Sequence, residues 1–249
     1  MKDRWIVLMS VLIASFAAQA VQMTYFDNGA GTVVQTYDSG EFQPGVPTVI
    51  PITFRQFDDY NGRATLQSVT VTVTQYAWGG YYAVDNDAET VGIVNVQHGA
   101  IGSIKETVGY EYFLPVGSKA TLSTIVTELN KVLAANDGDP IEYQSGGDDH
   151  FRLDGPDSDN KLVANAGGTR TTGLAAYVGD DNLSMDYTVS QSSTHTGAGA
   201  VYYSGGPAWT RSIITVTYNY VPEPTGLALL AVGCAALGLR RRRLPGAKA

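Results

Sequence analysis

The feature that most constrains the fold is a strict alternation of apolar and polar side chains in two segments of the 249-residue chain. Residues 69–74 read Val-Thr-Val-Thr-Val-Thr, and residues 214–220 alternate Ile, Val and Tyr with Thr and Asn. A period of two places alternate side chains on opposite faces of a β-strand, whereas a helix requires a period near 3.6. Both segments are therefore predicted to be strands with one buried and one solvated face.

The remainder of the body supports an all-β fold, because it is rich in threonine, valine, tyrosine and glycine. Asn61-Gly62 and Gly79-Gly80 are predicted turns, since both pairs adopt positive φ readily. Further strands are predicted at Thr48–Phe57, Thr90–Gln97, Glu106–Leu114, Leu174–Val178, Ser184–Gln191 and Ala200–Tyr203. Many short strands separated by turns predict one domain, an antiparallel β-sandwich of jelly-roll-like arrangement, over residues 21–220.

One segment breaks this pattern. Between Ser118 and Asn136, apolar residues recur at helical spacing: Leu122, Ile125, Val126, Leu129, Val132 and Leu133. A short amphipathic helix is predicted, with its apolar stripe in the core rather than on a partner, because a helix of this length needs tertiary burial. The β-branched content leaves a strand as the alternative for residues 121–135.

The N-terminus has the composition of a secretory signal peptide over residues 1–20. Lys2 and Arg4 precede an apolar run, and the segment ends on the small residues Ala18 and Ala20. The run is shorter than the roughly 20 residues of a membrane-spanning helix, and small residues suit signal peptidase. Cleavage by signal peptidase is predicted after Ala20, with an uncleaved anchor as the alternative.

The C-terminal segment, residues 221–249, has three parts. Val221-Pro222-Glu223-Pro224 is expected to be extended and accessible, because proline lacks an amide donor and restricts the residue before it. Residues 226–239 are uncharged, and as a helix they would rise about 21 Å, a marginal transmembrane anchor for a hydrocarbon core of about 30 Å. The cluster Arg240, Arg241, Arg242 and Arg243 would hold the C-terminus in the cytoplasm.

This arrangement of Val-Pro-Glu-Pro, hydrophobic segment and arginine cluster resembles the PEP-CTERM sorting signal of Gram-negative bacteria that make extracellular polysaccharide. The resemblance implies an exosortase-type enzyme that cleaves near Pro222-Glu223-Pro224. It also implies a transient inner-membrane anchor and release to the cell surface or extracellular matrix. The alternative is a plain single-span anchor.

The body is similar to the choice-of-anchor E domains. The similar segments are residues 52–58, 64–73, 84–86, 174–189 and 215–220, whereas residues 119–160 depart from the family pattern. This resemblance implies a β-sandwich whose anchoring device varies between members, and it implies no catalytic residue.

Charge excludes one class of partner. Residues 21–221 contain 9 basic and 22 acidic side chains, a net charge near −13, whereas nucleic acid requires a basic surface. The single cysteine, Cys234, lies in the C-terminal apolar segment and is interpreted as an apolar filler. Disulfides are therefore not expected in the domain.

No motif for catalysis or for a cofactor is recognisable. His98, His150 and His195 lie more than forty residues apart in the sequence, lack a zinc-binding spacing, and are expected at solvated loop or strand positions. Residues 137–161 are predicted to form a long acidic loop. Calcium is its one candidate ligand, with Asp154, Asp157 and Asp159 as weak candidates, because clustered oxygen ligands suit that cation.

Two clusters of aromatic residues flank glycine-containing turns. Trp78, Tyr81, Tyr82 and Trp209 are the candidates for stacking on sugar rings, with capping of the core as the alternative interpretation. The sequence therefore favours an exported noncatalytic protein with an adhesive or structural role in extracellular polysaccharide. The alternative is a secreted glycoside hydrolase-like enzyme with paired carboxylates.

Overall fold

The computed structural model describes residues 22–27, 31–45, 47–59, 62–106, 121–138, 147–197 and 201–222. Within these ranges the strands are β1 (Gln22–Asp27), β2 (Thr32–Asp38), β3 (Thr48–Arg55), β4 (Ala64–Trp78), β5 (Tyr81–Asn86), β6 (Gly92–Glu106), β7 (Thr121–Leu133), β8 (His150–Asp154), β9 (Leu162–Arg170), β10 (Asn182–Gly197), β11 (Val201–Gly206) and β12 (Trp209–Pro222). Paired strands run antiparallel. The prediction of an antiparallel all-β fold is confirmed.

Hydrogen bonds join these strands into three sheets. The five-stranded sheet has the order β1-β2-β12-β4-β9, the four-stranded sheet β3-β10-β6-β7, and the three-stranded sheet β11-β5-β8. The strand β12 therefore lies inside its sheet, between β2 and β4, although it is the last of the described strands.

The five-stranded and four-stranded sheets share one apolar core. Val71 and Val216 contribute to it from the first sheet, and Phe54, Leu183 and Tyr187 contribute from the second, all of them buried. Burial of each such side chain is worth about 1.5–3 kcal/mol relative to leaving it in water. Packing of this kind holds the two sheets against each other.

The alternation predicted for β4 and β12 is confirmed. The apolar residues of both segments face the shared core, and the intervening threonines lie on the outer face of the five-stranded sheet. There, Thr70 Oγ1 lies 2.9 Å from Thr169 Oγ1, and Thr36 Oγ1 lies 3.3 Å from Thr215 Oγ1. Cross-strand hydrogen bonds of this kind stabilise the outer face.

A buried polar network crosses the centre of the core. Gln75 Nε2 donates to Thr124 Oγ1 (2.6 Å), and the Tyr187 hydroxyl donates to Gln75 Oε1. Ser212 Oγ donates to the Tyr187 hydroxyl oxygen (2.9 Å). Because Gln75 and Ser212 belong to the five-stranded sheet while Thr124 and Tyr187 belong to the four-stranded sheet, the network joins the two sheets. Burial raises the pKa of Tyr187 to about 12, so its phenol remains a donor at neutral pH.

A second, smaller core lies beneath the three-stranded sheet. Strands β6, β7 and β10 extend past the first core, and Val94, Val96 and Leu133 pack there against Tyr82 and Val84 of β5. The three-stranded and five-stranded sheets therefore pack side by side against one face of the four-stranded sheet.

The boundary between these two sheets is a double break. Residues 79–80 separate β4 from β5, and residues 207–208 separate β11 from β12. On one side of the break β4 pairs with β12, and on the other side β5 pairs with β11. Gly79 and Gly80 have φ values of 62° and 71°, which favour glycine. The predicted interruption at these glycines is confirmed.

The helix predicted within residues 118–136 is wrong, because β7 is a strand paired with β6. Leu122 and Leu133 are buried, but Leu129 and Val132 are exposed, so only part of the apolar stripe belongs to the core. The β6–β7 register shifts beside Asn130, whose φ is 57°. This bulge moves the buried side chains from even-numbered to odd-numbered positions. Leu122 and Leu133 are therefore both buried, and their spacing in the sequence also fits one face of a helix.

Two other predictions are corrected. Leu174–Tyr177 is a 3₁₀ helix rather than a strand, and its buried Tyr177 packs into the shared core. The predicted acidic loop contains β8 and a 3₁₀ helix at Ser158–Asn160. The strand forms because Phe151 and Leu153 alternate with polar residues and pack against the second core.

The remaining predicted strands fall on β3, β6, β10 and β11, and β6 and β10 are longer than predicted. Beyond Glu106, the predicted strand at 106–114 lies outside the described residues, as do Asn61, the predicted signal peptide and residues 223–249. In the part of the chain that is described, no helix has the length and hydropathy needed to cross a membrane.

Candidate functional site

The fold brings the two predicted aromatic clusters together at the double break. Trp78 of β4 lies directly opposite Trp209 of β12, and Tyr82 of β5 lies opposite Gly205 of β11. The two clusters are far apart in the sequence, and antiparallel pairing of β4–β5 with β11–β12 makes them neighbours. The four predicted sugar-stacking residues therefore lie in one region of the fold, although they differ in how much of each side chain is exposed.

Two of the predicted sugar-stacking rings are covered by cations. Lys161 Nζ lies 3.8 Å from the centroid of the Trp78 ring, and the Arg152 guanidinium carbon lies 4.0 Å from the centroid of Tyr81. Trp78 is only 7% exposed. A cation over an aromatic face is itself a favourable contact, so a sugar would have to displace it. The geometry favours a packing role for Trp78 and Tyr81.

Trp209 is accessible, with 41% of its surface exposed. Its Cδ1 lies 3.5 Å from the place that a Cβ would occupy at Gly79, so the indole edge rests on the double break. Among the four predicted stacking residues, Trp209 is the one whose exposure allows contact with a large ligand.

Tyr82 is buried but belongs to a cluster that reaches the surface, the Tyr82–His195–Tyr203 cluster. The Tyr82 hydroxyl lies 3.0 Å from His195 Nδ1, and the Tyr82 and Tyr203 ring centroids lie 5.9 Å apart. The Tyr203 centroid lies 5.5 Å from that of His195. Tyr203 is 60% exposed. Burial, with a smaller effect of Tyr203, raises the pKa of Tyr82, which keeps its phenol protonated.

The sequence reasoning did not identify His195 as part of this cluster. His195 is remote in sequence from Tyr82, and it was expected at a solvated position. One signal was present, because His195 continues the odd-numbered phase of Tyr187 and Val189 along β10, both of which are buried. A side chain in that phase faces the other sheets.

A serine–histidine pair lies beside the double break. His98 Nδ1 lies 2.9 Å from Ser193 Oγ, and His98 Nε2 lies 3.2 Å from the Gly79 carbonyl oxygen. The prediction of a solvated position for His98 is wrong, because this residue is 0% exposed. Burial lowers the pKa of His98, and the Gly79 carbonyl and the charge of Asp154 oppose that shift. The arrangement fits a neutral imidazole that connects β6, β10 and the break.

The candidate calcium residues lie around β8. Asp154 forms an ion pair with Arg152 (2.7 Å), and Asp157 precedes the 3₁₀ helix that contains Asp159. Nearby, Asp149 is buried and accepts a hydrogen bond from the Asp137 backbone amide (3.0 Å). Within the described ranges, no three histidine, cysteine or acidic side chains are grouped as a metal site requires. Calcium binding stays a prediction.

A small polar pocket of about 160 Å³ opens where β3 ends and β10 begins. Its lining residues are Arg55, Gln56, Asp58, Gly179, Asp180 and Asp181. Three aspartates and one arginine are among these residues, and none of them is aromatic. A cleft for cleaving polysaccharide was expected to combine carboxylates with aromatic rings. This pocket is lined by aspartates but by no aromatic residue.

The first two residues of the predicted sorting motif end β12. Val221 pairs with Thr65 and Pro222 with Ala64, and both Val221 and Pro222 are exposed. These two residues are therefore extended and exposed, and the role of the motif in sorting stays a prediction. The other sorting residues, Glu223, Pro224 and the arginine cluster, lie outside the described residues.

Comparison with known proteins identifies no family. No protein-family model and no curated protein matches the chain. A chain in a crystal structure of the T13 particle of infectious bursal disease virus shares 13% sequence identity with this chain, and the two superpose with a TM-score of 0.13. The match covers 72% of this chain and 37% of the viral chain. A structure of the Gt strain is 12% identical, with a TM-score of 0.08 and coverage of 89% and 46%. The match spans less than half of either viral chain, and TM-scores this low support no inference about fold or function.

Proposed function

We propose that this chain is an exported, noncatalytic cell-surface or extracellular-matrix protein with an adhesive or structural role in extracellular polysaccharide. Its domain would be a jelly-roll-like β-sandwich, because two antiparallel sheets share one filled core. Signal peptidase would remove residues 1–20, and an exosortase-type enzyme would process the chain near Pro222-Glu223-Pro224.

The observation that carries this proposal is the end of β12. Val221 and Pro222 are exposed, and they occupy the last positions of a strand that is central to its sheet. A protease that acts immediately beyond Pro222 would therefore leave the described strands intact. This is the geometry expected of a domain that is released or transferred after folding.

Ion pairing of some described carboxylates supports a noncatalytic role. Asp38 is paired with Arg211, and Asp154 with Arg152. Paired charges of this kind are neutralised locally, whereas a glycoside hydrolase needs two carboxyl groups that face one sugar at a defined separation.

The test is the intact mass of the protein from its native host, compared with that from a host lacking the sorting protease. We expect a C-terminus near Val221 that is lost when the protease is absent, together with recovery of the processed protein in the polysaccharide fraction. A chain ending at Ala249 in both hosts would refute the sorting step. A processed protein found free of the polysaccharide fraction would refute the matrix role.

A further inference from the structure

We propose that the Tyr82–His195–Tyr203 cluster is a binding site for a neutral hexopyranose unit of a polysaccharide. Tyr203 would supply the stacking surface, and His195 a hydrogen-bonding group beside it. This inference rests on the proposed function and deepens it, because it assigns the class of sugar and the residues that contact it.

The cluster occupies the open side of the second core. Strand β11 is an edge of the three-stranded sheet, and the pairing of β10 with β3 extends only over Asn182–Val189. Lys131 of β7 lies over Phe151 of β8, while His195 of β10 contacts Tyr82 of β5. These contacts place β8 over β7 and β5 over β10. The strand β11, on the other side of β5 from β8, therefore lies next to the part of β10 beyond Val189, where β10 has no β3 partner and forms the edge of its own sheet. A ligand can therefore approach between two strand edges.

The cluster is preorganised. Tyr82 lies at the base, stacked on Tyr203 at an interplanar angle of 29° and held by its hydroxyl to His195 Nδ1. His195 packs against Tyr203 at 46°. Tyr203 is thus supported by two buried or half-buried rings while 60% of its surface remains exposed. A rigid aromatic ring loses little conformational entropy when a ligand binds.

The chemistry of the cluster matches a sugar ring. One face of a hexopyranose presents C–H groups that pack on the electron-rich face of a phenol ring, while its hydroxyls act as donors or acceptors. Tyr203 offers both a ring and a hydroxyl. His195 uses Nδ1 for Tyr82, and its Nε2 is a donor in one neutral tautomer and an acceptor in the other. A sugar hydroxyl can pair with Nε2 in either case.

Charge favours a neutral sugar over a uronate. Lys161 and Arg152 lie over Trp78 and Tyr81, whereas no described cation lies over the Tyr203 ring. A carboxylate ligand would find no such charge over the Tyr203 ring, and the acidic protein would repel an acidic polysaccharide. The same contrast explains why Tyr203, unlike Trp78 and Tyr81, has a ring that is free of a covering cation from the described residues.

The test is affinity electrophoresis of the protein purified from its native host. The gels contain dextran, soluble starch or hydroxyethylcellulose as neutral polysaccharides, or alginate as the acidic one. We expect retardation in at least one neutral gel and none in alginate. The Tyr203→Ala variant should raise the Kd about tenfold or more, which is 1.4 kcal/mol, while Tyr203→Phe stays within about threefold because it retains the ring. His195→Ala should weaken binding without abolishing it.

Leu129→Ala is the matched control, because Leu129 is also exposed (62%) but lies on a different strand. This variant should bind each polysaccharide as tightly as the wild type does. Unchanged melting temperatures would show that the variants are folded. Wild-type affinity in Tyr203→Ala, a loss confined to Trp209→Ala, retardation by alginate alone, or no retardation in any neutral gel would each overturn the assignment. Recovery of Tyr203→Ala in the matrix fraction at wild-type level, alongside processing at the C-terminus, would refute this site while leaving the proposed function intact.

Discussion

Gly102 gives the sharpest test of how the two main sheets are joined. This residue lies on β6, and a Cβ there would overlap Gln75 Oε1 and the Tyr187 hydroxyl. These two atoms form the central hydrogen bond of the buried network. Gly102→Ala therefore forces a single methyl group into the space that the hydrogen bond occupies, and neither side chain can move to water because both are buried.

The expected effect follows from the groups that are displaced. Forcing a methyl group into a packed core destabilises by about 1–3 kcal/mol. Leaving one buried polar atom without a partner adds about 1–3 kcal/mol. Replacing glycine by alanine within a strand returns about 0.5–1 kcal/mol. The net loss in the free energy of unfolding is about 1–5.5 kcal/mol, and its upper end would consume much of the roughly 5–15 kcal/mol of a typical domain.

The assay is urea denaturation followed by tryptophan fluorescence, with the free energy obtained by linear extrapolation. Gly45→Ala is the control, because Gly45 has no heavy atom within 4 Å of the position of an added Cβ, and it should change stability little. Combined with Gln75→Ala, the Gly102→Ala substitution should destabilise less than the sum of the two single changes, since the truncated side chain makes room. A loss below about 1 kcal/mol for Gly102→Ala would refute the reasoning, given that overpacking alone is worth that much.

Three further predictions concern charge and burial. Burial lowers the pKa of His98 in the folded protein, so the unfolded state binds more protons, and stability should fall as the pH drops below about 6.5; the urea midpoint of His98→Gln should not show this loss. The hydrogen bond from Arg211 lowers the pKa of Asp38, so the stabilisation by the Asp38–Arg211 pair is present above the ordinary pKa of an aspartate and is lost as the pH falls below it. Asp38→Asn should lower the free energy of unfolding by at most about 1 kcal/mol in urea denaturation, since the pair is partly exposed. Leu122→Ala should cost about 2–5 kcal/mol while Leu129→Ala costs little, and equal losses by the same assay would contradict the assignment of β7 as a strand.

The sequence was most informative where one period runs through a whole element. In β12 the alternation over residues 214–220 assigned burial correctly residue by residue, and the structure continues the same phase back to Thr210. The same reasoning failed for β7, because a bulge beside Asn130 changes which of its positions face the core. As a result, Leu122 and Leu133 are both buried, at a spacing that also fits a helix. The bulge depends on pairing with β6, which is not encoded within the segment itself.

The candidate site was predictable in composition but not in exposure. Trp78 and Trp209 were both identified as aromatic candidates, yet Lys161, which precedes β9, lies over the Trp78 ring, whereas Trp209 is accessible. His195 joins Tyr82 only because the three-stranded sheet packs on the far end of β10. Such contacts come from the packing of separate sheets, and no local pattern specifies them.

The interior position of β12 has a mechanical consequence. A pull applied to the chain beyond Pro222 enters the fold through a strand that is bonded to β2 on one side and to β4 on the other. Tension along β12 would shear two ladders at once, whereas a strand at the sheet edge would peel from a single neighbour one bond at a time. A domain tethered at this end would therefore resist flow or traction through many hydrogen bonds loaded together.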